Sequence, residues 1–228
     1  MNENLTQKIR DDFDCIALNE QQGWNHNSHY HHFLLKQLPL KCKTVLDIGC
    51  GTGEFSRLLA KRAYKVIAID LSPNMIEVAK ENSKLYTNID FQFADVLQWD
   101  FPPEKFDAIV SIATVHHLPI EKLLPNLKAA LKPGGKLIIL DLLEHENLVD
   151  KLTDFIAVPL NWFFQTTKNR NITISPEAVQ AMKEHLRTDK YFTLSQAKGI
   201  YQSSLIKAKI RKHLFWRYSV VWKKSGRS

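Results

Sequence analysis

Cysteine is scarce in this sequence, with only Cys15, Cys42 and Cys50 among 228 residues. They are too few and too scattered to form a disulfide framework or a zinc site. No apolar run approaches the ~20 residues that a membrane-spanning helix needs. The opening segment MNENLTQK also lacks the apolar core of a secretory signal. These absences predict a reduced, soluble, cytoplasmic protein without a membrane span.

Glycine is also scarce, with eight residues, and most of it is concentrated in two places. Gly49, Gly51 and Gly53 fall within five positions, and Gly134 and Gly135 are adjacent. Glycine lets the backbone approach a ligand closely and adopt positive φ values. The clustering therefore predicts that glycine serves backbone geometry at a site.

The formal net charge is +7, but the excess of positive charge is confined to the C-terminal part of the chain. Residues 183–228 hold 12 Lys and Arg against two Asp and Glu, so the first 182 residues are slightly acidic. A basic nucleic-acid-binding domain would carry its charge across one face of the fold. Nucleic acid is therefore an unfavoured partner. The basic residues of the tail are more simply interpreted as Lys and Arg side chains that protect an edge strand from unwanted pairing.

Short apolar segments alternate with helical patterns from about residue 43 onward, which is typical of a doubly wound α/β sheet. The predicted strands are residues 44–48, 65–70, 90–95, 106–112 and 136–141. A turn is predicted at 133–135, and the chain ends in a hairpin with a tight connection at Trp216 and Arg217. No linker or repeat divides the chain, so we predict one domain over residues 1–228.

Acidic residues stand at the ends of three successive predicted strands, beside the first glycine cluster. Asp47 precedes the glycines, Asp70 ends the second strand and Asp95 ends the third. In an open parallel sheet the ligand binds at the carboxyl ends of the strands, and a carboxylate there can accept hydrogen bonds from ribose hydroxyls or an amine. Glu54 occupies the position where a dinucleotide-binding loop needs a third small residue. The pattern therefore favours a nucleoside with a zwitterionic or cationic tail over a dinucleotide.

Four segments resemble the motifs of class I S-adenosylmethionine-dependent methyltransferases. They are residues 45–53 (VLDIGCGTG), 68–75 (AIDLSPNM), 106–110 (FDAIV) and 131–137 (LKPGGKL). The resemblance covers roughly residues 43–142 and extends to the terminal hairpin. It implies a Rossmann-like sheet in the strand order 3-2-1-4-5-7-6, with the last strand antiparallel. It also implies an N-terminal helical lid (1–40), a cofactor core (43–142), a substrate-side helical insertion (145–190) and a hairpin (200–224).

The resemblance further implies S-adenosylmethionine as cofactor and a set of residues that bind it. These are Asp47, Gly49, Gly51, Gly53, Asp70, Leu71, Met75, Asp95, Val96 and Ser111. The glycines would pass under the methionine and ribose, Asp70 would bind the ribose hydroxyls, and Asp95 would hold the adenine amine. Ser111, together with Ala113, would line the methyl donor.

Two groups of histidines are candidates for catalysis. His116 and His117 follow the fourth strand, where an imidazole could take a proton from a hydroxyl or orient the acceptor; capping the next helix and packing are the alternatives. Four more lie in the loop at 23–32, which we expect to cover the site with Tyr30 and His29 facing the donor, and Tyr30 is a third catalytic candidate. No metal is predicted, since methyl transfer needs none and this loop holds no carboxylate or cysteine.

The segment at 146–180 is expected to shape the acceptor pocket. Its apolar candidates are Phe155, Ile156, Trp162, Phe163 and Phe164, which could alternatively pack against the sheet. The chain is thus predicted to move a methyl group to a small, apolar or aromatic molecule, as a monomer or homodimer. The alternatives are an RNA or protein methyltransferase that uses the basic tail, and a nucleoside-binding module without catalysis.

Overall fold

The strands of the structure, a computed structural model, form one seven-stranded sheet. Residues 3–17, 23–146, 154–169, 180 and 189–226 are described. The strands are β1 (Cys42–Ile48), β2 (Ala63–Asp70), β3 (Ile89–Phe93), β4 (Phe106–Ile112), β5 (Leu131–Leu142), β6 (Lys209–His213) and β7 (Arg217–Lys223). Their order is β3-β2-β1-β4-β5-β7-β6. The first five pair in parallel, and β7 is antiparallel to β5 and β6. The predicted fold class and strand order are confirmed.

Helices lie between the strands, as the alternating pattern predicts. They are α1 (Glu3–Ala17), α2 (His31–Gln37), α3 (Glu54–Ala60), α4 (Pro73–Asn82), α5 (Ile120–Ala130), α6 (Asp154–Lys168) and α7 (Leu194–Ser204), with 3₁₀ turns at Ser28–Tyr30 and Val115–His117. The start of α4 shows why the chain turns into a helix there. The Ser72 hydroxyl accepts from the Met75 backbone N–H, and Pro73 occupies the first helical position. In the described residues, no helix is long and apolar enough to cross a membrane.

The sheet is buried on both faces, which explains its continuous apolar strands. Neighbouring residues of one strand belong to different core clusters because successive side chains point to opposite faces. Val45 lies in the cluster with α2 and α3, whereas Leu46 lies in the cluster with α5 and α7. The same division separates Val110 from Ile109 in β4. This double burial leaves the carboxyl ends of the strands as the place for a site.

Two predicted turns differ from the structure. Residues 133–135 lie within β5 instead of preceding it, and Gly134 has a φ of +79° where β5 shifts register against β4. The hairpin connection is residues 214–216, with Phe215 and Trp216 at positive φ, and Arg217 is already the first residue of β7. Sequence patterns locate turns through glycine and proline, and this hairpin turn contains neither.

The basic strand β6 lies at the edge of the sheet. Lys209 and Arg211 are exposed there, as the interpretation of the tail as edge protection predicts. Of the predicted insertion at 145–190, the structure describes α6 and a few flanking residues. The capped helix predicted at Ser175 lies outside the described residues. The division of the chain into lid, core, insertion and hairpin stays a prediction.

Candidate functional site

A cavity of about 590 Å³ opens at the carboxyl ends of β1, β2 and β4. The lining of the cavity includes the glycine loop after β1 and the residues that follow β4. Its volume falls within the range of small-molecule sites, ~300–1,000 Å³. The position agrees with the general rule that ligands bind at the switch point of an open parallel sheet.

The glycines of the loop after β1 have different surroundings. Gly49 has a φ of +70°, and a Cβ there would lie 2.1 Å from the Thr114 Oγ1 atom. Gly51 faces open space, since a Cβ there would meet nothing within 4 Å. The Gly51 N–H donates to Asp70 Oδ2 at 2.8 Å, which ties the loop to the end of β2. Gly49 therefore allows close packing against the loop after β4, and Gly51 exposes backbone to the cavity.

Asp47 connects this loop to α3 through a buried hydrogen bond. Its side chain is 2% exposed, and its Oδ2 atom accepts a 2.6 Å hydrogen bond from Ser56 Oγ on α3. Burial raises the pKa of Asp47 to about 7, with the nearby Asp70 adding to the shift.

Asp70 and Asp95 line the cavity with their backbone-anchored carboxyls. Asp70 Oδ1 accepts from the Ser72 backbone N–H at 2.9 Å, and Asp95 Oδ1 accepts from the Leu97 N–H at 2.9 Å. Burial raises the pKa of Asp70, although the backbone hydrogen bonds oppose the shift. Leu71, Met75 and Val96 add an apolar wall between the two acids. This end of the cavity combines fixed acceptors with a flat apolar surface, which suits a nucleoside.

A cluster of two histidines and two acids lies at the cavity, and three of its members, His116, His117 and Asp189, line it. His116 Nδ1 lies 2.7 Å from Asp141 Oδ1, and its Nε2 lies 3.6 Å from Asp189 Oδ2. His117 Nδ1 lies 3.5 Å from Asp189 Oδ1, and the two imidazole rings are 3.8 Å apart. Burial lowers the pKa of His116, but the two carboxylates outweigh it and raise the pKa to about 9. We name these residues, His116, His117, Asp141 and Asp189, the histidine–aspartate cluster.

The N-terminal segment closes one side of the cavity. The side chains of His26 and Asn27 line it, and Arg217 Nε donates to Asn27 Oδ1 at 2.9 Å. His26 Nε2 lies 2.8 Å from Asn161 Oδ1, which connects the segment to α6. His31 also lines the cavity, and burial lowers its pKa to about 4. The expectation that this segment covers the site is consistent with these contacts.

Comparison with known proteins relates part of the chain to a family. Residues 45–135 match the family model of a methyltransferase domain. Over 107 residues the chain is 36% identical to a ubiquinone biosynthesis O-methyltransferase of Coxiella burnetii, with 46% of each chain covered. Residues 45–135, which are less than half of the chain, thus resemble a methyltransferase domain. The match spans less than half the length of that relative.

Two further comparisons cover nearly the whole chain. An uncharacterized methyltransferase of Mycobacterium tuberculosis is 29% identical over 210 residues, which is 89% of this chain and 98% of that protein. The structure of the DhpI complex with S-adenosylhomocysteine aligns over all of both chains with a TM-score of 0.65 and 16% identity. At that identity the structural likeness shows the fold.

The glycine-loop end of the cavity fits S-adenosylmethionine, the cofactor that the sequence resemblance implies. The open space over Gly51 leaves room for a ligand against the backbone. Three carboxyls, those of Asp47, Asp70 and Asp95, line the same space and suit a ligand with a cationic tail, hydroxyls and an amine.

Two residues predicted to touch the donor do not line the cavity. Ser111 is 2% exposed and its hydroxyl donates to the Ile48 carbonyl at 3.0 Å, because it is still inside β4. The cavity wall begins at the next residues, which include the predicted Ala113. Gly53 caps α3 with a φ of +76° and faces the Phe91 ring, where a Cβ would lie 2.9 Å away. Both residues serve the packing of the loop and sheet, contrary to the prediction.

Tyr30 also lies outside the cavity lining. Its hydroxyl donates to the Leu214 carbonyl at 2.8 Å, and its ring is buried between the N-terminal segment and the hairpin. His29 is exposed. The 3₁₀ turn presents both residues to the hairpin side, and the expectation that they face the donor stays a prediction.

Replacing Tyr30 by phenylalanine tests this placement. The change removes one buried hydrogen bond, so we expect the free energy of unfolding to fall by about 1 kcal/mol while turnover stays within twofold. Urea unfolding and a steady-state assay measure the two quantities. A tenfold loss of turnover without a loss of stability would return Tyr30 to the catalytic machinery.

The apolar segment predicted to form the acceptor pocket does not line this cavity. Four of its side chains are largely exposed on α6, namely Phe155 (79%), Ile156 (58%), Trp162 (69%) and Phe163 (52%). Phe164 packs on Trp24 with ring centroids 4.9 Å apart. These four described residues therefore neither line this cavity nor pack on the sheet, and a role of the segment in the acceptor pocket stays a prediction.

The structure adds four residues to the site that the sequence did not indicate. Asp141, near the end of β5, was detectable by the same strand-end rule that located Asp70 and Asp95. Asp189, Tyr191 and Arg217 reach the cavity from loops and from the start of β7. No motif marks them, because their position depends on how the chain returns to the sheet after α6.

Proposed function

We propose that this protein is a methyltransferase that moves the methyl group of S-adenosylmethionine to a hydroxyl group of a small aromatic molecule. The observation that carries the proposal is the continuity of one cavity, from the glycine loop to the buried histidine–aspartate cluster. The similarity to a ubiquinone biosynthesis O-methyltransferase supports an oxygen acceptor. The enclosure by the N-terminal segment favours a small acceptor over a polymer.

The glycine-loop end of the cavity would hold the cofactor. Asp70 would accept hydrogen bonds from the ribose hydroxyls and Asp95 from the adenine amine, while Leu71 and Met75 would pack on the adenine. When bound, S-adenosylmethionine supplies a methyl group that its sulfonium already activates. The protein therefore contributes mainly alignment and exclusion of water.

The histidine–aspartate cluster would act on the acceptor. A hydroxyl group that gains a methyl group must give up one proton. The cluster supplies groups that would lower the pKa of the hydroxyl or accept its proton. Because its two neighbouring carboxylates raise the pKa of His116, His117 is the better candidate to take a proton from the acceptor oxygen. Phe13 on α1 packs edge-on against the His117 ring at 5.8 Å and contributes an aromatic wall beside it.

The polymer alternative lacks support at the cavity. The basic residues of β6 do not line it, and their place at the sheet edge already accounts for their charge.

A methyl-transfer assay with a mixed acceptor panel tests the proposal. The panel contains simple phenols and catechols, total RNA and a protein extract, with label followed from S-adenosylmethionine into each fraction. We expect label in the phenols or catechols, with little dependence on salt. Label confined to RNA, with a steep loss at higher salt, would contradict the proposal. Cofactor binding without transfer to any fraction would favour a binding module.

A further inference from the structure

The histidine–aspartate cluster contains three side chains with the spacing of metal ligands. These are His116, His117 and Asp189, and one candidate ligand atom from each lies within 4.8 Å of the other two. Their side chains are 4%, 8% and 7% exposed. They are therefore unlike the exposed acidic groups that often cluster on a surface without binding a metal.

The carboxylate of Asp189 lies close to both histidines, at distances compatible with shared coordination of one ion. Asp189 Oδ2 is 3.6 Å from His116 Nε2, and Asp189 Oδ1 is 3.5 Å from His117 Nδ1. Two ligands bound to one tetrahedral Zn²⁺ at ~2.0–2.2 Å would lie about 3.3–3.6 Å apart.

Outer partners already orient two of the three side chains. His116 uses its other ring nitrogen, Nδ1, toward Asp141 Oδ1 at 2.7 Å. The Tyr191 hydroxyl donates to Asp189 Oδ2 at 3.1 Å. Metal-binding histidines almost always direct their second nitrogen to a carboxylate or carbonyl, and metal-binding carboxylates are themselves hydrogen-bonded.

The charge around the cluster also suits a cation. Asp141 and Asp189 contribute two buried carboxylates, and Arg217 is the fixed cation on the same cavity wall. With both imidazoles neutral, these groups sum to a net negative charge. Imidazole nitrogens favour zinc and its first-row neighbours over magnesium or calcium.

We propose that His116, His117 and Asp189 bind one Zn²⁺ ion whose remaining coordination position opens to the cavity. Three protein ligands and an open position are typical of catalytic zinc sites. This use of the site rests on the proposed function. The acceptor hydroxyl would bind the ion at its open coordination position, and the ion would lower the pKa of that hydroxyl. The sequence prediction of no metal considered only the histidines of the N-terminal loop. Asp189 is remote in sequence and could not be associated with His116 from spacing.

Titration of metal-stripped protein with Co²⁺, followed by visible absorption, tests the site without any methyl-transfer assay. We expect one equivalent to bind with the absorption of a low-coordinate site and to be displaced by Zn²⁺. Asp189→Asn and His117→Ala should each weaken binding at least tenfold. Asp141→Asn, which removes only the outer partner of His116, should weaken it by about 10- to 100-fold.

Two further substitutions provide matched controls. His32→Ala and Asp90→Asn remove a histidine and an aspartate outside the cavity, and both should bind Co²⁺ like the original protein. S-adenosylhomocysteine binding, measured by calorimetry, confirms that each variant is folded. No binding to the original protein, or equal binding by Asp189→Asn, would refute the metal site and leave the proposed methyl transfer standing. Metal binding without transfer to any small acceptor would instead refute the proposed function.

Discussion

Replacement of Asp70 by alanine is expected to weaken S-adenosylhomocysteine binding by about 1.5–3 kcal/mol, or about 10- to 150-fold. The variant would lack the charge-assisted hydrogen bonds between the ribose hydroxyls and the Asp70 carboxylate. It would also lack the hydrogen bond that the Gly51 N–H donates to Asp70, which holds the glycine loop in place. Isothermal titration calorimetry measures the change directly.

The half-buried Asp90 provides a matched control for this experiment. It is the second residue of β3, at the opposite end of the strand from the cavity, and it pairs with Lys65. Asp90→Asn should leave the affinity within twofold. Unchanged affinity in Asp70→Ala would remove Asp70 from the cofactor site and weaken the assignment of this end of the cavity.

Replacement of His117 by alanine is expected to lower turnover by about 10²- to 10⁴-fold, the usual range for loss of a group that acts on a proton. The affinity for S-adenosylhomocysteine should change less than twofold, because the proposed role of His117 is to act on the acceptor. Single-turnover kinetics at saturating cofactor, together with calorimetry, separates the two quantities. The expectation holds whether His117 takes the proton itself or holds the proposed ion.

The exposed His32 again serves as the comparison, since His32→Ala should leave turnover unchanged. If His117→Ala lost cofactor affinity instead of turnover, His117 would belong to the cofactor site. An unchanged turnover would mean that the His117 ring only packs against Phe13 and His116.

The sheet could be predicted from the sequence because its strands are buried on both faces. Val45 and Leu46 belong to opposite core clusters, so the whole segment must be apolar, and such a run followed by glycine is visible in one sequence. The turn between β6 and β7 could not be located as well. Phe215 and Trp216 adopt positive φ there without glycine, because the surrounding packing imposes the conformation.

The cofactor end of the site was predictable for a related reason. Asp70 and Asp95 follow parallel strands, whose carboxyl ends meet at the same edge of the sheet. The error at Ser111 has the opposite origin, because β4 continues one residue beyond it and its hydroxyl is used within the sheet. A shift of one residue along a strand reverses the face to which a side chain points.

The acceptor end required the three-dimensional structure. Asp189 reaches His116 and His117 only through the return of the chain to the sheet, more than 70 residues further along the chain. The exposure of the apolar residues of α6 could not be predicted, because a helix presents some of its side chains outward, and the sequence does not show which ones.

A crystal structure with bound S-adenosylhomocysteine is the most direct test of the central claim, that one cavity joins the cofactor site to the acceptor site. We predict that the ribose hydroxyls lie within hydrogen-bonding distance of Asp70 and the adenine amine near Asp95. The sulfur should point toward His117 across open space. A ligand bound elsewhere, or a sulfur directed away from the histidine–aspartate cluster, would contradict the account.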